Sequence, residues 1–269
     1  MRQGLICTAL LALVATSAAA DDAYLSPTAD RVRVSLGIQQ TGARTSFQLD
    51  NGTVAGSDID GENTLGLDRR RVTPSFAVEV RAGERDRIRL DYFGLDRSVT
   101  KTLTASSLTY GGATLRVGEP VQSDVSVRAF GLTYAHSFIH NDRVELAATL
   151  GVSDLDVDAR LTVATATAHI NVDHSLAGPL PMPGIEATWV LSRRFYLDAH
   201  GAYLKGAHHK LAASVGQYGV DVLYRLRPNV AFALGYGEFK ADLTSRRSGD
   251  SGFANLSAGG PQLLVRVEF

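Results

Sequence analysis

The sequence predicts an all-β fold, an up-and-down antiparallel β-barrel that crosses a membrane on its strands. Three observations support this prediction. The chain begins with a secretory leader, and it continues as segments in which apolar and polar residues alternate. Long and short connections between these segments alternate along the chain. In the last segment, LLVRVEF, apolar and polar residues alternate up to Phe269.

The leader occupies the first twenty residues. A charged start is followed by an apolar run from Leu5 to Val14, and small residues precede a predicted cut after Ala20. Because the apolar run is too short to span a membrane as a helix, we expect a signal peptide over 1–20 and one barrel domain over 21–269. The single cysteine, Cys7, lies in this leader, so the mature chain has no disulfide.

The composition excludes two classes of protein. With 45% hydrophobic residues, a mean hydropathy of -0.01 and no long apolar run after the leader, the chain is not a helical membrane protein. A barrel stays possible, because alternating strands hide their hydrophobicity from a window average. The net charge of -1 lacks the basic excess typical of nucleic-acid-binding proteins.

The first half of the chain supplies five strands, each with apolar residues on one face and polar or small residues on the other. A long polar loop over 40–71 follows the first strand, and a Ser/Thr-rich region over 98–122 follows the third, with Gly111-Gly112 as a turn between strand extensions. We predict these strands over 31–39, 72–81, from 87 onward, over 123–137 and over 144–152.

The second half supplies five more strands, again with alternating faces. Long connections are predicted over 158–179, around His208-His209 and over 242–254, while short turns follow the sixth and eighth strands. We predict these strands over 185–191, 195–203, 217–225, 230–237 and 263–269.

The connections indicate ten strands. Tight turns follow strands two, four, six and eight, and longer loops follow the odd-numbered strands, as in a barrel with short turns at one rim. Twelve strands result if 160–172 or 103–117 forms a further membrane hairpin, and eight if the first pair is irregular. In the fourth strand, Val125 and Val127 are out of phase with Phe130 and Leu132, which predicts a bulge near Arg128.

The polar faces are predicted to line a narrow lumen, and the apolar faces to contact lipid. The polar faces combine opposite charges with Gly and Ala and almost lack Lys, and charges buried in a narrow lumen have to be paired. The predicted lumen charge network consists of Arg33, Glu79, Arg81, Arg89, Asp91, Glu145, Glu186, Asp198, His200, Asp221, Arg225, Arg266 and Glu268.

The closing strand resembles that of bacterial outer-membrane β-barrel proteins, the broad OmpA-like or porin-like superfamily. Leu263, Val265, Val267 and Phe269 carry the resemblance, on one face of the strand. It implies that these four residues are the signal read by the barrel-assembly machinery. It also implies an outer-membrane location, with outer-membrane lipid and lipopolysaccharide as partners.

The expected function is that of a non-enzymatic, monomeric barrel with a charge-paired lumen and long extracellular loops, which serves envelope structure or binds an unknown extracellular ligand. Two alternatives stay open. The first is a small porin-like channel for ions or small solutes, and the second is a rim hydrolase, either omptin-like or lipid-modifying.

Candidate catalytic residues fit those enzymes poorly. Lipid-cleaving barrels use a His and a Ser two residues apart, but His136-Ser137 and His174-Ser175 are adjacent, so their side chains point to opposite faces. Asp198 and His200 share a face, yet they closely follow a short turn, whereas omptin proteases need such a pair at the outer rim. A structural hydrogen-bond network is the simpler interpretation.

Candidate metal and phosphate sites are also weak, and no metal or cofactor is expected. Residues 58–62 hold three acidic residues but do not complete a calcium loop, so we predict a solvated acidic loop there. His208-His209 lack a third ligand. Arg69 to Arg71 and Arg246-Arg247 near loop bases could contact lipopolysaccharide phosphates, although solvated loop charge is favoured.

Deleting Phe269 should impair assembly, because it removes the aromatic end of the predicted signal. The measurement is the amount of protein recovered in the outer-membrane fraction. Unchanged insertion contradicts the assembly role.

Overall fold

A computed structural model describes residues 26–51, 54–104, 107–110, 113–118, 120–163, 166–172, 180–208, 211–247 and 250–269. The predicted leader, His174-Ser175, His209 and the Gly111-Gly112 pair lie outside these residues. Within the described ranges, no helix has the length and the hydropathy needed to span a bilayer.

The described chain forms fourteen antiparallel strands. They are β1 (Val32–Leu49), β2 (Ile59–Asp60), β3 (Arg70–Arg81), β4 (Asp86–Thr102), β5 (Leu108–Tyr110), β6 (Ala113–Leu115), β7 (Pro120–His140), β8 (Val144–Val163), β9 (Ala166–Val172), β10 (Leu180–Val190), β11 (Phe195–His208), β12 (Leu211–Arg227), β13 (Val230–Arg247) and β14 (Asp250–Glu268).

Ten of these strands close a ring. The order is β1-β3-β4-β7-β8-β10-β11-β12-β13-β14, and β14 pairs back with β1 from Arg33↔Glu268 to Leu49↔Gly252. At the seam, the carbonyl of Phe269 accepts hydrogen bonds from the amides of Arg31 at 2.7 Å and Val32 at 3.2 Å. The ten-stranded barrel predicted from the sequence is confirmed.

The two ends of the barrel differ. One end, called the turn end below, carries the predicted tight turns, which lie at 82–85, 141–143, 191–194 and 228–229. Asn141 holds one turn by accepting hydrogen bonds from the amides of Arg143 at 3.0 Å and Val144 at 2.9 Å. The other end, the loop end, has long connections from β1 to β3, from β4 to β7 and from β8 to β10, as predicted. The long connections predicted around His208-His209 and over 242–254 are wrong, because β11 runs to His208 and β12 begins at Leu211, and β13 runs to Arg247 and β14 begins at Asp250.

The additional hairpins considered in the sequence do not enlarge the ring. β9 pairs with β8 only beyond Val157, whereas β10 pairs with the lower half of β8, so β8 and β9 extend past the ring at the loop end. The sequence predicted that the residues around Gly111-Gly112 extend the third and fourth barrel strands. β5 and β6 instead form a separate two-stranded sheet.

Large apolar side chains cover the outer face near the turn end. Leu263 is 57% exposed, Val265 40% and Phe269 39%, as expected of the outward row of the last strand. Aromatic residues are spread around the same belt: Tyr92, Phe130, Tyr134, Trp189, Phe195, Tyr203, Tyr218, Phe232 and Tyr236. Such a continuous exposed apolar surface is typical of proteins whose solvent is lipid.

The predicted bulge near Arg128 is wrong. β7 pairs with β4 without interruption across this position, and its only register shift lies between Ser137 and Ile139. The polarity of the faces inverts instead: Val125 and Val127 are buried inside, while Phe130 points outward and is 51% exposed. A strand that rises out of the apolar belt keeps its alternation, but its outer face then meets water and its inner face an apolar core.

The same inversion explains why the strands are longer than predicted. β1 continues to Leu49 and β14 starts at Asp250, so much of the predicted loops 40–71 and 242–254 is strand. Polar outward residues made these segments resemble loops in the sequence.

Candidate functional site

A fully buried carboxylate, that of Glu145 on β8, lies in the lumen at the turn end. Its side chain is 0% exposed, and its two oxygens accept hydrogen bonds from the Arg81 guanidinium at 2.9 Å each. Ser137 Oγ donates a further hydrogen bond at 2.6 Å, and Arg87 Nε lies 3.6 Å from Oε1. These contacts offset the cost of placing a carboxylate away from water.

Arg87 connects this pair to the next carboxylates along the wall. Its guanidinium lies 3.2 Å from Glu79 and 3.4 Å from Glu186. Arg33 contacts Glu79 from the other side at 3.0 Å, and Arg89 pairs with Glu186. Opposite charges therefore alternate across β1, β3, β4, β8 and β10.

A second group of charges comes from β11, β12 and β14. Glu268 accepts hydrogen bonds from Arg225 at 2.6 Å and from the hydroxyl of Tyr196. Arg266 pairs with Asp198. Both groups of charges lie in the half of the lumen nearest the turn end. Paired side chains therefore occupy that half.

Most of the predicted lumen residues are brought together. Eleven of the thirteen make ion pairs; the other two are Asp221, which accepts a hydrogen bond from Gln262 at 2.6 Å, and His200. The prediction omitted Arg87 and Tyr196, although each stands two residues before a predicted lumen residue and thus shares its face.

Residues 26–30, called the strap below, fold across the mouth of the lumen at the turn end. Pro27 and Thr28 are buried, and the carbonyl of Pro27 accepts a hydrogen bond from Arg33. Ser26 Oγ donates to the carbonyl of Asp142 at 3.1 Å. No alternation of apolar and polar residues marks this segment, so its position across the lumen could not be predicted from the sequence.

The last strap residue, Asp30, is buried beside like and opposite charges. Its side chain is 1% exposed, and its Oδ2 lies 3.8 Å from Arg33 and 3.9 Å from Arg225, beyond hydrogen-bond distance. Burial, together with the nearby Glu268 carboxylate, raises the pKa of Asp30 to about 7, although the two arginines oppose this. The fold therefore favours the protonated form of Asp30 more than water does.

A chamber of about 210 Å³ lies in the lumen above the paired charges. Asp198, His200, Asp221 and Gln262 contribute to its wall, and the ring of His200 lies against the Cα of Gly219. Its wall combines charged and apolar side chains, and the chamber is large enough for several water molecules. Asp198 and His200 thus stand in the interior of the barrel and not at a rim.

The lumen above the chamber is filled by apolar side chains. The buried set consists of Ala43, Leu67, Leu95, Val125, Val127, Met182, Val215, Ala241, Leu256 and Ala258, with Phe93 and Phe239 packed against it. Leu67 belongs to the connection between β2 and β3, so this connection folds inward rather than into solvent.

A buried ion pair holds this connection in place. Glu62, 4% exposed, pairs with Arg97, 1% exposed, and Arg97 also donates to the hydroxyl of Thr45. Glu62 accepts a further hydrogen bond from the amide of Thr45 at 2.9 Å. The acidic stretch 58–62 was predicted to be a solvated loop; Glu62 is instead a structural anchor, and its partner Arg97 was not singled out.

The other sequence candidates do not form a site. Ser137 is buried against Glu145, whereas His136 is exposed and contacts Asp86 at 2.8 Å, so the two point to opposite faces as predicted. Asp60 accepts hydrogen bonds from the amides of Glu62 and Asn63 and shapes a turn. Across the described residues, no group of three or more His, Cys, Asp or Glu side chains is arranged to hold a metal ion.

No protein-family model matches the chain, and no curated protein matches it in sequence. Solved structures do match. The outer membrane protease OmpT from Escherichia coli has a TM-score of 0.56 at 10% identity, covering 93% of this chain and 100% of OmpT. A Pseudomonas aeruginosa FadL homologue gives 0.41 at 10% identity, covering 91% of this chain and 93% of that one. Ail of Yersinia pestis gives 0.30 at 7%, covering 87% and 98%.

The similarity to OmpT shows the fold alone. The chain has the ten-stranded fold of bacterial outer-membrane β-barrels, as the resemblance of its closing strand implied. An identity of 10% carries no information on activity.

Replacing Glu145 by Gln should lower the free energy of unfolding by about 3–5 kcal/mol, because Arg81 and Arg87 lose the carboxylate that neutralises them in the lumen. Urea unfolding from lipid vesicles, followed by the fluorescence of the single Trp189, measures this. The matched control is Asp68→Asn, which removes the exposed pair with Arg71 and should cost at most about 1 kcal/mol. Equal losses in the two variants contradict a buried network.

The burial of Asp30 predicts a pH dependence. Its pKa rises from 3.8 to about 7 on folding, so its contribution to stability is fully present below about pH 4 and is lost as the pH rises through 7. The unfolding free energy of the wild type, relative to Asp30→Asn, should therefore fall between pH 4 and 8. A flat difference between the two proteins over this range contradicts the prediction.

Proposed function

We propose that this protein is a bacterial outer-membrane barrel with a closed lumen, which serves the envelope or binds a ligand at the cell surface and catalyses no reaction. The turn end then faces the periplasm and the loop end faces outward, as the short and long connections of such barrels do. The exposed apolar belt supports the membrane location, since in water it would promote aggregation.

The blockage of the lumen at three levels carries this proposal. An ion entering from the periplasm meets the strap and then a layer of paired charges, and above the chamber it meets the apolar cluster around Leu95 and Val127. Crossing an apolar cluster requires the ion to lose its hydration without compensating contacts. The packing of apolar side chains therefore disfavours the passage of ions, in addition to the narrow width of the lumen.

A small channel is the second candidate, and the chamber favours it. The charged side chains in its wall could hold water or a small solute if the inward-folded connection moved away. That movement would break the buried Glu62–Arg97 pair and remove Leu67 from the apolar cluster. The closed state is the one this packing stabilises.

A rim hydrolase has less support. OmpT is a protease with the same fold, but Asp198 pairs with Arg266 within the lumen of this chain, and His200 lines the chamber beneath the apolar cluster. A polymeric substrate has no route to them. We also propose that the last strand contacts the barrel-assembly machinery and that the protein is a monomer.

The wild-type protein should give no stable conductance in planar bilayers. Leu67→Asp should produce frequent openings, because a carboxylate at this buried position expels the connection from the apolar cluster. The control is Asp68→Asn at the neighbouring exposed position, which should stay silent. Large, stable, selective channels from the wild type contradict the closed lumen.

Orientation can be tested with single cysteines, since the one cysteine of the sequence, Cys7, lies in the predicted leader. Val117→Cys, in the connection between β6 and β7, should react on intact cells with a maleimide that cannot cross membranes. Arg193→Cys, in the turn between β10 and β11, should react only after the outer membrane is permeabilised. The reverse pattern contradicts the proposed orientation, and equal reaction at both positions contradicts the membrane location.

A further inference from the structure

At the turn end, the barrel wall finishes in five positions that share its inner face. At five of the ten strand interfaces, one further backbone hydrogen bond of 2.7–2.9 Å continues the ladder beyond the last strand pair. The donors are the amides of Arg81, Ser137, Val190, Arg225 and Glu268, and the acceptors are the carbonyls of Arg31, Arg85, Arg143, Arg194 and Asn229. Opposite residues of an antiparallel ladder share a face, and all five donors have buried side chains in the lumen. The five acceptor residues, called the inner rim below, therefore have the inward phase too.

Four of the five inner-rim residues are arginines, and all four are exposed. Among the described residues, none of these guanidinium groups forms an ion pair. That of Arg194 donates a hydrogen bond at 3.3 Å to the hydroxyl of Tyr224, which lies on the outer face. Arg31, Arg85 and Arg143 remain as the arginines around the mouth of the lumen, on three consecutive interfaces from β1 to β10.

The rest of the turn end is also richer in positive than in negative charge. Two more exposed arginines, Arg193 and Arg227, lie at its turns, whereas the exposed side-chain carboxylates there are those of Glu84 and Asp142. Each of these carboxylates is one residue from an inner-rim arginine but forms no ion pair with it. In the strap only Ala29 is exposed, so no strap carboxylate competes for the arginines.

The three arginines around the mouth are separated from the lipid-facing surface. At the same end, the outward residues Leu191 and Leu226 are 51% and 58% exposed and continue the apolar belt. The inner rim has the opposite phase, so its side chains leave the wall on the side of the lumen mouth. These arginines therefore face the solution below the barrel and not the hydrocarbon beside it.

The spacing of the arginines determines the kind of anion that suits them. Strands about 4.8 Å apart and tilted by about 40° give a ten-stranded ring about 20 Å across, with inner-rim positions about 12 Å apart. One small anion therefore reaches only one arginine. An extended peptide rises by about 3.3 Å per residue, so about four residues of it span the distance between neighbouring arginines.

We propose that Arg31, Arg85 and Arg143 bind an extended acidic segment of a periplasmic protein, which lies along the mouth of the lumen. Guanidinium groups form charge-assisted, often bidentate, hydrogen bonds to carboxylates, and several such contacts on one chain add up. The periplasmic source of the partner rests on the orientation given in the proposed function. The contacts themselves do not depend on that orientation or on the closed lumen.

Fluorescence anisotropy of a labelled poly-glutamate peptide with the folded, detergent-solubilised protein tests the site. A peptide of about ten residues is long enough to cross the ring. Arg85→Gln with Arg143→Gln should weaken binding about tenfold, the loss expected of two exposed ion pairs. The matched control is Arg44→Gln with Arg70→Gln, which removes the same charge at exposed positions nearer the loop end and should bind as the wild type does. Equal losses in the two double variants, or no binding by the wild type, overturn the proposal.

Two further measurements decide the outcome if a variant misfolds or another anion competes. Heat-modifiable migration on a gel shows whether the double variant is folded. If it is not, the wild type is titrated in 0.1 M and 1 M salt, where the Debye length falls from about 10 Å to about 3 Å and binding should be lost. Binding that is insensitive to salt contradicts a charge-based site.

Mixed micelles that contain phosphatidylglycerol, at the same concentration of negative charge, should not displace the peptide. Displacement by the lipid assigns the inner rim to membrane headgroups and overturns the proposal. Failure of the proposed orientation is a separate result: surface labelling of Arg193→Cys on intact cells would place the rim outside the cell, while binding in solution would stay unchanged.

Discussion

The closed hydrogen-bond ring between β1 and β14 is the constraint on which the rest of the structure depends. Once the last strand pairs with the first, each of the ten strands has a hydrogen-bonded neighbour on both sides, and the ring has no edge strand to expose in a membrane. A ring of ten strands also has a narrow interior. The side chains that point inward must therefore fill it, and those that carry charge must find opposite charges there.

The contents of the interior follow the environment outside. Where the outer face is apolar, at the turn end, the lumen holds Arg87, Glu145 and their partners, which could face neither lipid nor an apolar core without being paired. Where the strands rise beyond the belt, Val125 and Val127 move to the interior and polar residues face outward. One continuous strand therefore contacts lipid along one part of its outer face and water along the other. Its inward and outward side chains alternate without interruption.

This arrangement limits the functions that suit the molecule. The fold is shared with a protease, so the fold does not decide between enzyme, channel and binding protein. The packing favours a binding or structural protein with a closed lumen. The strap closes the lumen at the turn end, and the connection held by Glu62 and Arg97 closes it towards the loop end. What remains accessible is the outer surface.

The sequence by itself favoured ten strands over eight or twelve, and it determined the tight turns at one end and the inward set that includes Arg81, Glu145 and Arg266. These follow from local periodicity, since residues two apart in a strand share a face whatever they later contact. Only the tertiary structure decided which charges meet. Arg81 and Glu145 are 64 residues apart, and Arg97 finds Glu62 on a connection that resembles solvated loop in the sequence. The inward fold of that connection, the strap with Asp30, and the absence of a bulge at Arg128 depend on what lies across the lumen or outside the wall, and no local pattern encodes those neighbours.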